Sequence, residues 1–486
     1  MKMIKIPKSS LLIFVLLIFN NIYSQTPCVG GFAGIYPCND YDLMSHISLE
    51  ELTNAINADG NDAWGWTDPM NNNEYAIIAT SHSTAFVNIT DPVNPIFLGR
   101  VETETSTSIW RDVKVYNNHA FIVADNVGAH GMQVFDLTRL RNVASPPETF
   151  TPDAVYTGVN SCHNIVINED EGIAYLVGCN TYSGGPTFVN ISNPLLPTDA
   201  GGYSEEGYSH DAQVVTYSGP DSDYTGHRIL IASNGYSDKL VILDVTDKEN
   251  TVKISEVSYS QTAYTHQGWF TEDMTYFIVG DELDEVNYGL NTRTLVFDFS
   301  DLDNPTLSST YYGPTSAIDH NGYVLGDTYF LSNYRAGMRV LDISNISSPS
   351  NPMTEIGYFD TFPDNDSTAF NGAWSVYPYF ASGNIVISDI DRGLFVVRKS
   401  NTLNTNSFNI TKSFVITPNP ASNNTKIIAK ENQSIKSISI INTLGQSIFV
   451  IDNINQNEFV LQTQNYPKGV YYIKINNLIT KRLLLN

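Results

Sequence analysis

Apolar and polar side chains alternate at a period of two through short runs that recur along most of the chain. TAFVNITDPVNP (84–95), GMQVFDLTRL (131–140), PTFVNISNPLLP (186–197), KLVILDVTDKEN (239–250), TLVFDFSDLDNP (294–305), GMRVLDISNISSPSNP (337–352) and GLFVVRKS (393–400) are seven copies of one strand. Such alternation turns one face of a strand toward a neighbouring element, and the Asp-Pro or Asn-Pro that follows ends pairing because proline has no N–H to donate. An earlier apolar strand precedes each copy and carries an anchor residue: Trp64, Trp110, His163, His210, His266, His320 and Asn371. Successive anchors lie 46 to 56 residues apart, with about four short strands per unit. That is the period of a propeller blade, so the expectation is an all-β, seven-bladed β-propeller over residues 61–398.

The seventh copy is short. The segment DLMSHISLE (42–50) resembles the outer strands PIFLGRV (95–101) and MTEIGYF (353–359), which predicts that an arm over residues 25–60 closes the ring against the seventh blade and removes an exposed edge. Beyond the ring, residues 399–412 are rich in Asn, Thr and Ser and read as a linker. Residues 413–486 return to alternation, with Asn-Pro, Leu-Gly and Pro-Lys-Gly corners, and predict a small C-terminal β-sandwich. At the other end, Lys2, Lys5 and Lys8 precede the run LLIFVLLIF (11–19), with Ser24 before Gln25. Nine apolar residues are too few to span a bilayer, so residues 1–24 read as a secretory signal peptide, and no later run is long enough to form a transmembrane helix.

Two stretches resemble known families. LVILD (240–244), NDAWGWTDP (61–69), TAFVNITDP (84–92), YSHDAQVV (208–215) and THQGWF (265–270) are similar to the LVIVD-repeat propellers of the choice-of-anchor B family, over roughly residues 38–398. That resemblance implies an exported propeller at a bacterial surface and specifies no reaction. ITPNPASN (416–423), NTLGQ (442–446) and GVYYIKI (469–475), followed by a basic, apolar end, resemble the type A sorting domain of type IX secretion. It implies the type IX machinery as a partner. It also implies delivery to the extracellular space or outer-membrane surface.

Charge and cysteine content fit that address. The tail 413–486 carries seven Lys or Arg against three acids; with it and the three signal lysines set aside, 16 basic and 48 acidic residues remain. A body of that sign repels phosphate backbones and anionic membranes, which argues against nucleic-acid binding. The four cysteines suggest two local disulfides, Cys28–Cys38 and Cys162–Cys179, in an oxidising compartment.

Candidate chemistry concentrates on the anchors. First strands are innermost in a propeller, so anchors fifty residues apart converge on one mouth of the central channel. Three readings of His163, His210, His266 and His320 stay open. They are ligands of a divalent transition metal, oriented by acids such as Asp112, Asp211, Asp319, Asp281, Glu282 or Asp284. Or, with Trp64, Trp110 and Asn371, they grip a polar or anionic ligand. Or they form a hydrogen-bonded ring that seals the channel. Two functions follow: a binding or scaffold module for an extracellular ligand, and the alternative of a metal-dependent enzyme with a nearby acid as general base. GPDSDYTG (219–226), DNDST (364–368) and DELDE (281–285) are oxygen-rich and are weaker candidates for Ca²⁺. No GxxxxGK[ST], GxGxxG, HExxH or GxSxG motif supports nucleotide use, zincin proteolysis or a nucleophile elbow.

Overall fold

The computed structural model describes residues 25–400, 414–430, 434–442, 447–451, 454–476 and 479–485. The expected signal peptide and nearly all of the expected linker lie outside them. The chain divides into two compact units, residues 1–400 and 401–486.

The repeats fold as antiparallel sheets. Sheet four is representative: Asp211–Thr216, Arg228–Ser233, Leu240–Asp244 and Val252–Val257 pair in sequence order. Among the described residues of the first unit there are seven such sheets. Their first strands are Gly60–Thr67, Arg111–Tyr116, Asn164–Asn168, Asp211–Thr216, Thr265–Phe270, Gly322–Leu325 and Ala373–Tyr377. Each lies beside the next, and the seventh lies beside the first. The faces between sheets are filled by separate apolar clusters. Phe86, Ile122 and Phe135 pack between sheets one and two, for example, and Ala76, Ile78, Val386 and Val396 between seven and one. Because both faces of most strands are covered, their sequences combine alternation with wholly apolar stretches such as YAIIA (75–79). This is a β-propeller.

The recurrent Asp or Asn at the end of the first six third strands has a local cause. Asn88, Asp136, Asn190, Asp244, Asp298 and Asp342 each accept a hydrogen bond from the backbone N–H two residues on, at 2.9–3.0 Å. The side chain thus turns the strand outward as its ladder ends.

The N-terminal segment closes two edges. Tyr36–Asn39 adds to the last strand of sheet six, and Tyr41–Ile47 pairs antiparallel with Gly393–Lys399 of sheet seven. Asp40, with φ of 64°, makes the switch between them. Both disulfides are formed: Cys28–Cys38 ties this segment to itself, and Cys162–Cys179 joins the start of the first strand of sheet three to the end of its second.

The second unit contains Phe414–Thr417, Asn424–Ala429 and Glu458–Gln462 in one sheet and Ser447–Ile451, Ile438–Ile441, Gly469–Ile475 and Ile479–Leu485 in another. Ile427, Ile440, Leu461 and Ile473 belong to one buried cluster shared by the two sheets. Among the described residues no helix is long and apolar enough to cross a membrane.

Deleting residues 25–47 would leave Gly393–Lys399 as an open edge. The truncated chain should melt at least about 10 °C lower and form oligomers on size exclusion, whereas an unchanged melting temperature would show that ring closure does not depend on this segment.

Candidate functional site

Register determines which residues of the innermost strands share a level. In sheets one, five and seven the pairing shifts between Gly60 and Ala63, between Thr265 and Gln267, and between Ala373 and Ser375. Such a bulge re-aims the side chain at its centre. Aligned on these pairings, the position of His163, His210, His266 and His320 is filled by Asn61, Arg111 and Trp374 in sheets one, two and seven. The alignment NDAW (61–64) with HDAQ (210–213) shows the same register.

The four histidines do meet. Ring centroids of His163 and His210 are 4.4 Å apart, those of His210 and His266 4.3 Å, and those of His266 and His320 4.3 Å. They run as a row along one wall of a cavity of about 590 Å³ at the channel mouth. Trp110 and Trp374 continue the lining on either side.

Local structure fixes each ring. Gly178 stands beside His163 with φ of +64°, and a Cβ there would come within 2.5 Å of the His163 Cβ, so the close approach requires glycine. His163 Nδ1 is 3.0 Å from Asp125 Oδ2. Burial pushes the Asp125 carboxyl up, but His163, the Asn126 N–H and the Ser161 hydroxyl together hold it below its ordinary value. His210 Nδ1 donates to the His266 carbonyl at 3.0 Å, and His320 Nδ1 to the Trp374 carbonyl at 2.6 Å. Since a carbonyl only accepts, both rings carry their proton on Nδ1 and keep the Nε2 lone pair free. His266 differs: its Nδ1 is buried without a hydrogen-bond partner. Burial and the neighbouring imidazoles hold His210 and His266 well below the usual histidine range; burial lowers His320 to about 4, against the opposing pull of the Trp374 carbonyl. All three are neutral near pH 7.

Glu282 reaches the same cavity from the end of the second strand of sheet five. Asp281 positions it by accepting from the Ala263 and Tyr264 N–H groups and the Tyr259 hydroxyl, which ties the strand end to the loop before His266. The Tyr334 hydroxyl donates to Glu282 Oε1 at 2.7 Å. Burial raises the Glu282 carboxyl to about 7, against the stabilising Tyr334 bond. Tyr208, Tyr264 and Trp374 add aromatic walls, while Ile109, Tyr236 and Phe370 form an exposed apolar rim. Among the described residues no Lys or Arg lines the cavity.

Several expected site residues lie elsewhere. Trp64 sits three positions along its strand from the histidine level and lines the opposite side of the channel with Trp269 and Tyr377. Asn371 is held by Arg335 and Asp391 outside the cavity. Asp112 and Asp211 are one level below the histidines, in a chamber of about 10 Å³ that also includes Asp62, Asn164 and Lys114. The chamber has room for about one water, and Lys114 pairs with Asp62 at 2.9 Å and Asp112 at 2.5 Å. Asp319 is buried near Asp284 and Asp281, whose charges add to burial in raising its carboxyl far above the usual range. Of the nine non-histidine candidates, Trp110 and Glu282 line the cavity. Asp284 is spoken for by Arg293 at 2.5 Å.

The loop candidates for Ca²⁺ are largely committed within the chain. Asp221 accepts from the Asp223 and Leu302 N–H groups, although it also comes near Asp301 and Asp303. Asp364 pairs with Arg392. The residues missed from sequence, Asp125, Tyr208, Tyr236, Tyr264, Tyr334 and Phe370, follow second strands or sit in loops. A usable signal was present in two copies as Tyr-x-His, YSH (208–210) and YTH (264–266).

Asp211 supplies a test of the chamber. Burial raises its carboxyl from 3.8 to about 7, partly offset by Lys114 and the Ala212 N–H. Within that window the folded state holds a proton that the unfolded state releases, so stability falls as pH rises through it. Asp211→Asn should therefore be more stable than the parent by a few kcal/mol at pH 8 and no more stable at pH 4, read from urea melts at both values.

Comparison with known proteins adds an address. Residues 415–484 match the family model of the secretion system C-terminal sorting domain, the type IX tail, which marks the chain for export to the cell surface or extracellular space. No curated protein matches. Similar solved structures include a functionally unknown protein from Desulfotomaculum acetoxidans, 15% identical, with a TM-score of 0.45, covering 68% of this chain and 94% of that one. The Cps50 (Swd1) β-propeller domain of Myceliophteria thermophila is 8% identical, with a TM-score of 0.46 and coverage of 75% and 100%. The WD40 domain of Toxoplasma gondii coronin is 11% identical, with a TM-score of 0.47 and coverage of 70% and 81%.

Proposed function

We propose that this chain is an exported, seven-bladed β-propeller of the choice-of-anchor B type that binds a small neutral or cationic organic ligand at the histidine-lined mouth of its channel. Residues 1–24 are its signal peptide and 413–486 a β-sandwich that addresses it to type IX secretion. The observation that carries the binding role is the cavity itself. Side chains from several sheets converge on it, with an aromatic rim, a polar floor and enough volume for a small molecule.

The charge pattern selects the ligand. Asp59, Asp125 and Glu282 are the acids at the cavity, three of the four imidazoles are neutral, and no cationic side chain lines it among the described residues. An anion would meet no countercharge from the protein. A cation or a neutral polar molecule would find carboxylates, imidazole lone pairs and aromatic faces, a combination that suits ammonium groups and hydroxyl-rich rings.

Thermal-shift and calorimetric screening of the mature chain with alkylammonium compounds, free amino acids and oligosaccharides tests this. Tyr236 is 77% exposed, so Tyr236→Ala should leave folding intact. Combined with Phe370→Ala it should weaken any hit by about 10-fold or more. A panel without hits, or hits indifferent to both rim changes, would overturn the cavity as the ligand site.

A further inference from the structure

We infer that His266, His320 and Glu282 together hold one divalent transition-metal ion on the floor of the cavity, with its remaining positions open toward the ligand. This deepens the binding role above and rests on the cavity being the ligand site. Ligand atoms of the three residues all lie within 4.8 Å of one another. Glu282 Oε2 is 3.6 Å from His266 Nε2, and Oε1 is 3.7 Å from His320 Nε2.

Those separations are too long for direct hydrogen bonds. They suit donors that share an ion. Two atoms each about 2.1 Å from a metal, at tetrahedral to trigonal angles, stand about 3.4–3.7 Å apart. The surroundings are arranged as around a metal ligand: His320 Nδ1 donates to the Trp374 carbonyl, which leaves Nε2 unprotonated, and the Tyr334 hydroxyl orients the Glu282 carboxylate. His266 lacks such a partner on Nδ1, and its ring is held instead between those of His210 and His320, each 4.3 Å away. Two imidazoles and one carboxylate form a donor set for Fe²⁺, Mn²⁺, Co²⁺ or Zn²⁺ rather than for Ca²⁺, which takes oxygen.

This differs from a four-histidine centre. The rings follow one another in a row, and Glu282 faces the last two. His163 and His210 extend along the wall, where they would contact the bound organic molecule instead.

The mature full-length chain, freed of metal by chelation, is titrated with Co²⁺, Zn²⁺, Mn²⁺ and, anaerobically, Fe²⁺. The expected result is one ion per chain for at least one of them. Affinity should fall at least about 100-fold in Glu282→Gln and in His320→Ala, and change by less than about threefold in His163→Gln. Circular dichroism and melting of each metal-free variant establish that it is folded. Failure of the folded parent to bind any of the four ions would overturn the inference, as would affinity that survives Glu282→Gln or falls equally in His163→Gln. Organic-ligand binding is measured separately on the chelated protein, so ligand binding together with a failed metal titration would leave the binding role standing while the metal centre falls.

Discussion

The pairing of Tyr41–Ile47 with Gly393–Lys399 is the constraint on which the rest of the first unit depends. Each sheet buries its faces against two neighbours, so an incomplete seventh sheet would weaken the packing of the sixth and the first as well. The cavity is subject to the same condition, because its walls come from sheets on both sides of this seam. His320 takes its orientation from a carbonyl in sheet seven, and Asn61 of sheet one bonds its own strand and the Ile109 carbonyl at the entry to sheet two.

The innermost strands form a layered column. Neutral imidazoles and aromatic rings occupy one mouth, a compact acidic chamber with a single lysine lies beneath, and Trp64, Trp269 and Tyr377 line the other side. Lys114 belongs to two of these layers at once, paired with Asp62 and Asp112 while its ammonium lies 4.7 Å from the Trp64 ring centroid. Three carboxylates around one lysine leave the middle of the column short of positive charge. Burial answers by favouring the protonated forms of Asp62 and Asp211. The channel is thus electrically quiet in its centre and polar at the end that opens to the cavity.

Much of this was legible from periodicity. The succession of antiparallel sheets and the convergence of four histidines follow from spacing, because each sheet must repeat the same strand and turn chemistry; the two disulfides follow from the short separation of each cysteine pair. The anchors of sheets one, two and seven were placed three, one and three residues from the shared level, since a tryptophan or asparagine in an apolar run looks like an anchor when the pairing register is unknown. Bulges decide that register, and NDAW against HDAQ was the only local trace of it. Glu282 was visible as one acid in DELDE, but nothing in the sequence separates it from Asp281 and Asp284. The fold turns one to backbone N–H groups, one to an arginine and one to the cavity.

The switch at Asp40 places the earliest-made part of the body against the latest. Asp42 accepts a hydrogen bond from Ser400, 358 residues away in sequence. A chain made from its N-terminus presents this segment long before its partner strands exist. Entropy favours contacts between nearby residues, and the interior sheets consist of consecutive strands that satisfy this preference. Tyr36–Asn39 finds its edge once Thr354–Phe359 exists, but Tyr41–Ile47 has no partner strand until Gly393–Lys399 has been made. Circular closure therefore acts as a check on length: a chain cut short before its final sheet retains an unsatisfied leading strand, and completeness of the ring is registered at its beginning.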